Sequence, residues 1–371
     1  MRTTGVVRLA VSTAMVAALT LACGSGGGQG SGAEGPTTVA EVLAAVDGLQ
    51  GEPRRQKLVE LAEAEDRPFR LYSASSGDVV DAEVEAFTKA TGVRVESYRA
   101  SATDLTQRVL TENQARYADG ADVLFNDYKQ MLIYSAQGLL QPLPTPAAEG
   151  IDPAFVRPDW IGATMYAYVA AWNVDQVRTP PRSWPELLTQ YKGRLAIFDV
   201  DYDWFATLVQ DMVRQGMSED AAVDLFRQAA QGSQLVDQHT LGANLLAAGQ
   251  YPFVTSAFGY RIDVLKKTGA PVDWQPAVTP IVALPLGLGI PHTTDNPACA
   301  VLYAEWRLGD TQKLMADEFA LSPTNPQYGG VLAQYPGQVL TVDEKTLTVD
   351  ESRWKDLYAQ VVRGTSSKVT G

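Results

Sequence analysis

Thiols and imidazoles are scarce in this chain, with two cysteines and two histidines in 371 residues. Cys23 ends a leader-like stretch, so the body of the chain keeps Cys299 alone and closes no disulfide within itself. Paired His and Cys at zinc spacing, His-Glu-x-x-His and Gly-x-Ser-x-Gly are all absent, which removes the common signatures of metalloproteases and hydrolases. Basic residues are in deficit as well: 30 Lys and Arg against 43 Asp and Glu give a net charge of −13. A nucleic-acid binder needs a basic stripe to displace counterions from phosphates, so no nucleic-acid partner is expected. The apolar run at residues 9–19 is too short to serve as a membrane span. What remains is 46% hydrophobic and 20% charged, an ordinary globular composition with length for about two domains.

The first residues address the compartment. Arg2 and Arg8 precede the apolar run, and Leu19-Thr-Leu-Ala-Cys23 ends it. This stretch resembles a bacterial lipoprotein lipobox, which implies a signal peptide over residues 1–22, cleavage before Cys23 and lipidation of that cysteine. The alternative is an ordinary signal peptide in which Cys23 is incidental. Residues 24–35 contain seven glycines and read as a flexible tether reaching roughly 20 Å.

Beyond the tether, residues 37–65 read as two helices broken between Gly48 and Pro53, with Leu58, Leu61 and Ala62 on one face of the second. Phe69-Arg-Leu-Tyr-Ser reads as a strand running into small hydroxyl residues. A helix with Val80, Val84 and Phe87 at helical spacing follows and stops at Gly92. Residues 93–98 alternate like a strand, Ser101-Ala-Thr-Asp104 caps a helix, residues 121–125 form the next strand, and a helix over 127–137 closes at Gly138. Strands and helices alternating at this length predict a parallel sheet that takes ligands at the carboxyl ends of its strands. Further on, residues 166–173 and Tyr191-Lys-Gly-Arg-Leu-Ala-Ile-Phe198 read as buried strands, and residues 205–215 as a helix. The setting Pro-Ala-Cys-Ala-Val-Leu makes Cys299 a buried helix residue rather than a reactive thiol.

Several of these segments carry a family likeness. Leu71-Tyr-Ser-Ala, Phe87-Thr-Lys-Ala-Thr-Gly-Val-Arg-Val95, Asp104-Leu-Thr-Gln-Arg-Val109, Ala121-Asp-Val123 and Gly138-Leu-Leu140 fall in an order and spacing that resembles the first lobe of extracellular solute-binding proteins of ABC importers. The branch is the one that contains ferric-iron, polyamine, thiamine and phosphonate binders. Residues 179–188 and 191–198 resemble the opening of the second lobe, and the likeness runs on to about Met315. It implies an α/β, two-lobed periplasmic-binding-protein-like (type 2) fold, with hinge crossover strands and a ligand cleft between the lobes. On that template residues 23–36 are the lipidated cysteine and tether, and 37–66 an N-terminal helical extension. Residues 67–168 and 280–340 make lobe 1, 169–279 lobe 2, and 341–371 a C-terminal segment with a helix.

The expected function is then capture of a small solute and its delivery to a membrane permease, by a monomer that is not an enzyme and carries no cofactor. A sensor or adhesin lipoprotein of the same fold is the alternative, and an extracellular hydrolase resting on His239 or His292 a more remote one. Strand-end placement together with the likeness nominates Ser73, Ser75, Ser76, Asp127 and Tyr128 from the first lobe. From the second it nominates Tyr202, Asp203, Trp204, Thr240 and Tyr260. Tyr202, Asp203 and Trp204 would offer rings and a carboxylate to a cation, although Asp203 reads equally well as a helix cap with Asp199 and Asp201 in a solvated loop. Where the ferric-binding relatives place adjacent tyrosines this chain has Ala257-Phe-Gly-Tyr260, so Phe258 is either a stacking surface or core. Acidic and aromatic candidates lean towards an organic cation, while the serines and helix starts suit an anion.

Overall fold

The computed structural model describes residues 35–309, 311–365 and 368–369; the leader and Cys23 lie outside them. Its spine is a pair of long antiparallel strands. The twelve strands of the described residues are β1 (Phe69–Ser73), β2 (Val95–Arg99), β3 (Val123–Asp127), β4 (Trp160–Asn173), β5 (Leu195–Phe198) and β6 (Gln234–Val236), followed by β7 (Phe253–Phe258), β8 (Val272–Asp273), β9 (Ile281–Gly289), β10 (Ser322–Pro323), β11 (Val339–Thr341) and β12 (Lys368–Val369). They join in one mixed sheet of order β12-β6-β5-β7-β4-β9-β3-β1-β2, with β8 and β10 on β4 and β11 on β9. β4 and β9 pair from Trp160 opposite Gly289 to Tyr168 opposite Val282. On one side, β1, β2 and β3 run parallel to one another; on the other, β5, β6 and β7 do the same.

The alternation of side chains explains why both faces are covered. In β1, Phe69 and Leu71 enter one core with Phe87 and Tyr303, while Tyr72 enters the other with Leu105. A strand buried on both faces needs helices above and below, as parallel sheets do. The helix Gly77–Thr91 ends at Gly92, whose φ of 77° a residue with a Cβ adopts only at a cost. Several predicted boundaries move by a few residues. β4 begins at Trp160 rather than 166, and the helix expected from 205 spans Tyr202–Arg214 with Asp201, not Asp203, at its cap position. The break in the N-terminal extension falls between Ala45 and Gly51, because Pro53 fits the first turn of the helix Gly51–Glu63.

That extension is bolted to the helix Pro297–Leu308. Arg54 forms a two-pronged pair with Glu305, Nε to Oε2 at 2.9 Å and Nη2 to Oε1 at 2.8 Å. Glu65 accepts from the backbone N–H groups of Ala298 and Cys299 at the start of the same helix, at 2.7 and 2.9 Å. Cys299 is buried there, and burial, with Glu65 beside it, pushes its thiol far above the ordinary range, so it is inert as a nucleophile. At the other end, the helix Glu351–Val362 packs on Tyr202–Arg214 and Glu219–Ala230. None of the described helices is long and apolar enough to cross a membrane.

One ion pair is fully enclosed. Arg307 Nε donates to Glu83 at 2.6 Å and its Nη2 to Thr164 at 2.7 Å, tying the Gly77–Thr91 helix and β4 to the Pro297–Leu308 helix. Both charged side chains are without exposure, so deleting one strands the other. Glu83→Ala should lower stability by about 3–5 kcal/mol, read as a lower urea midpoint at unchanged slope.

Candidate functional site

The sheet dictates where a site can lie. β3 pairs with β9 so that Asp127 stands opposite Leu286, and β4 carries on past that level to put Tyr166 opposite Leu284 and Tyr168 opposite Val282. From the other side β7 arrives with Phe258 opposite Tyr168. The carboxyl ends of β1 and β3 therefore face those of β5 and β7 across Tyr166 and Tyr168, which share a face by the two-residue period.

Aromatic rings fill the gap. Tyr166 stacks on Tyr260 at 5.3 Å between centroids and meets Phe258 at 5.1 Å. Phe258 stacks on Tyr168 at 5.5 Å and on His239 at 4.1 Å, and His239 leans on Phe198 at 4.2 Å. The column is tight at its far end: a Cβ on Gly242, in the helix His239–Ala247, would come within 2.6 Å of the Phe198 ring. Ser75, from the first half, lies close enough to the Tyr166 phenol to favour its ionised form slightly against the larger effect of burial.

Carboxyl groups sit around these rings in two different states of satisfaction. Asp201, 1% exposed, accepts on one oxygen from Ser256 Oγ at 2.5 Å and from His239 Nε2 at 3.0 Å, so it locks the imidazole in place. Asp203 receives the Trp204 N–H at 2.8 Å, and burial, reinforced by neighbouring Asp201, pushes it up to about 7. Burial likewise raises Asp127 to about 6. Asp127 stands at the cap position of the helix Tyr128–Ala136 without capping it, and its carboxylate accepts no hydrogen bond among the described residues. Tyr166 and Tyr168 are held far above the usual phenol range by burial first, then by surrounding phenols and carboxylates.

Of the residues nominated from sequence, the structure brings Ser75, Asp127, Asp203 and Tyr260 to this gap and puts Ser76, next to Ser75, at the cap position of the helix Gly77–Thr91. Ser73 is turned into the loop, where its hydroxyl accepts from the Ser75 N–H at 3.2 Å. Tyr128 is buried against Trp160, with Arg157 on its hydroxyl at 3.5 Å. Trp204 packs in the core between Trp184 and Phe226, because Tyr202–Arg214 is helical from its first residue and turns that side inward. Tyr202 points to Glu351, donating at 3.3 Å, and Thr240 is exposed. Sequence reasoning passed over Tyr166 and Tyr168, read Asp201 as part of a solvated loop and weighed His239 for hydrolysis; the available signal was two tyrosines two residues apart in a strand that otherwise carries core residues. Among the described residues no group of three or more His, Cys, Asp or Glu is arranged to hold a metal ion.

The buried carboxyls fix a pH dependence. Asp203 and Asp127 bind their protons more tightly folded than unfolded, so they favour the folded state at low pH and lose that contribution as pH rises towards about 7 and about 6. Each adds a slope of at most about 1.4 kcal/mol per pH unit above roughly pH 4. Asp203→Asn should flatten the fall in stability between pH 5 and pH 8 and leave the variant more stable than the parent at pH 8, measured by urea unfolding across that range.

Comparison with known proteins agrees with this geometry. A protein of Synechocystis named iron uptake protein A1 is 28% identical over 155 residues, 40% of this chain and 42% of that protein, so the likeness spans less than half of it. A substrate-binding protein of an ABC transporter from Agrobacterium tumefaciens superposes with a TM-score of 0.67 at 16% identity, covering 80% of this chain and 94% of that one. The periplasmic binding protein AfuA of Actinobacillus pleuropneumoniae, solved with fructose 6-phosphate, gives 0.65 at 18% identity, covering 80% and 98%. These likenesses fix the fold as the type 2 periplasmic-binding-protein arrangement of two lobes about a cleft. Residues 82–335, well over half of the chain, match the family described as bacterial extracellular solute-binding protein, and the chain belongs to that family.

Proposed function

We propose that this chain captures a small organic solute in the gap floored by Tyr166 and Tyr168 and delivers it to the permease of an ABC importer. In this reading it works outside the cytoplasm as a monomer, held at the membrane by a lipid on Cys23. Residues 67–168 with 280–340 and residues 169–279 act as the two lobes. The observation that carries the proposal is the ring column itself. Tyr166 and Tyr168 come from a strand common to both halves, Ser75 and Asp127 from the first half, Phe258 and Tyr260 from the second. A solute seated there touches both halves, so its extra contacts in the closed form shift the hinge equilibrium towards closure.

Iron is the second reading, favoured by the name of the Synechocystis relative. Fe(III) wants phenolate oxygens, whereas Tyr166 and Tyr260 are stacked on each other with phenols that burial pushes up, and Phe258 occupies the place of a further ligand. That favours an organic solute over the metal. A sensor would use the same cleft and differ only in its partner.

The test is thermal unfolding of the chain, unfolded and refolded to remove carried solute, against polyamines, amino acids, thiamine, phosphonates, sugar phosphates and ferric salts. A solute at 100 times its dissociation constant adds about 2.7 kcal/mol, a shift of several degrees. Tyr166→Ala should weaken binding at least tenfold by titration calorimetry while the chain stays folded. No shift with any solute, or an unchanged affinity in the variant, argues against capture in this cleft.

A further inference from the structure

Two sets of polar groups at the first half's strand ends lack protein partners, and they are of opposite kind. The first lies at the head of the fifteen-residue helix Gly77–Thr91. Ser76 is its cap residue, 7% exposed, yet its hydroxyl makes no bond to the helix amides and meets no partner among the described residues. A buried hydroxyl left unpaired is costly unless something outside the protein answers it. Beside it, Arg99 at the end of β2 donates Nε to the Ser75 carbonyl at 3.1 Å, and its guanidinium pairs with no carboxylate among the described residues. The helix's free N–H groups add partial positive charge at the same point. Asp78 in the first turn is exposed, where water and salt weaken its repulsion.

The second set is Asp127, one strand away. β1 and β3 are hydrogen-bonded neighbours: β1 ends at Ser73, opposite Phe125, the Ala74 N–H still bonds the Phe125 carbonyl at 2.9 Å, and the turn through Ser75 and Ser76 leaves β1 beside the last two residues of β3, which ends at Asp127. The Asp127 carboxylate is half-buried, caps nothing and accepts no hydrogen bond among the described residues. Tyr166 lies next to it, stacked with Phe258 and Tyr260, so a cation drawn to the carboxylate also meets ring faces. Donor set and carboxylate are therefore about 5–10 Å apart, one to two strand spacings.

Building on solute capture in this cleft, we propose that the solute is a short organic zwitterion, its anionic end seated on Ser76, the head of the helix and Arg99, its ammonium end against Asp127 and the Tyr166 and Phe258 rings. A purely cationic solute leaves Ser76 and Arg99 unanswered, and a purely anionic one is repelled by Asp127. The pairing of opposite charges at fixed separation selects for length as well as for charge.

Three probes of equal length differing only at their ends decide it: 5-aminopentanoate, 1,5-diaminopentane and pentanedioate, titrated calorimetrically into the refolded full chain at pH 8. The zwitterion should bind at least tenfold more tightly than either symmetric probe. Asp127→Asn should turn the preference towards pentanedioate, and Arg99→Ala, at an exposed position, or Ser76→Ala should turn it towards the diamine. Tighter binding of a symmetric probe, unmoved preferences in the variants, or no binding of 5-aminopentanoate by a chain that answers another solute of the wider panel, overturns the zwitterion and leaves capture standing. A chain that no solute stabilises overturns capture and the zwitterion with it.

Discussion

The antiparallel ladder between β4 and β9 is the constraint on which the rest depends. Both strands pass from one half of the molecule to the other, and nearly every residue of each is buried. Neither half can complete its sheet without them: β3 bonds to β9, and β7 bonds to β4. Because the strands around them are parallel within each half, the carboxyl ends of both sets converge on the middle of the ladder. The location of the cleft is thus a result of strand direction, settled before any side chain in it is specified.

What the side chains add is a controlled imbalance. Asp201 is almost wholly buried, but two donors converge on one of its oxygens, and it serves to hold His239 flat against Phe198 and Phe258. Asp203 and Asp127 have fewer donors, and burial raises the proton affinity of both. The same contrast appears among hydroxyls, with Ser73 engaged and Ser76, among the described residues, not. Structural and available polar groups are thereby separated within a few residues, which is the pattern expected where a ligand completes the hydrogen bonding.

Much of this arrangement was legible in the residues. The strand-helix alternation from Phe69 onwards, the stop at Gly92 and the buried setting of Cys299 all follow from local periodicity and glycine chemistry, and the structure has them. Strand-end logic nominated Ser75, Ser76 and Asp127, and the structure has them just past the end of β1 and at the end of β3, positions defined by where a strand stops. It failed for Trp204, since the helix starts three residues earlier than expected, at Tyr202, and takes Trp204 out of the strand-end loop onto the side of the helix that faces the core. Tyr166 and Tyr168 were hidden for another reason. They sit in mid-strand, where sequence offers only a buried run, and reach the cleft because β3, on the far side of β9, ends at the level of Thr164, short of both tyrosines. That is a fact of register between distant segments, invisible to any window of sequence.

The two ends of the described chain finish on different halves. The N-terminal extension is fastened by Arg54 and Glu65 to the Pro297–Leu308 helix, beside β1 and β9, while the Glu351–Val362 helix and β12 finish against the Tyr202–Arg214 helix and β6. Any rotation of one half about the β4–β9 ladder is consequently a change in the separation of the chain's own ends. Fluorophores or force handles attached there ride on opposite jaws, so the polypeptide is its own caliper and closure can be followed one molecule at a time without a label in the cleft.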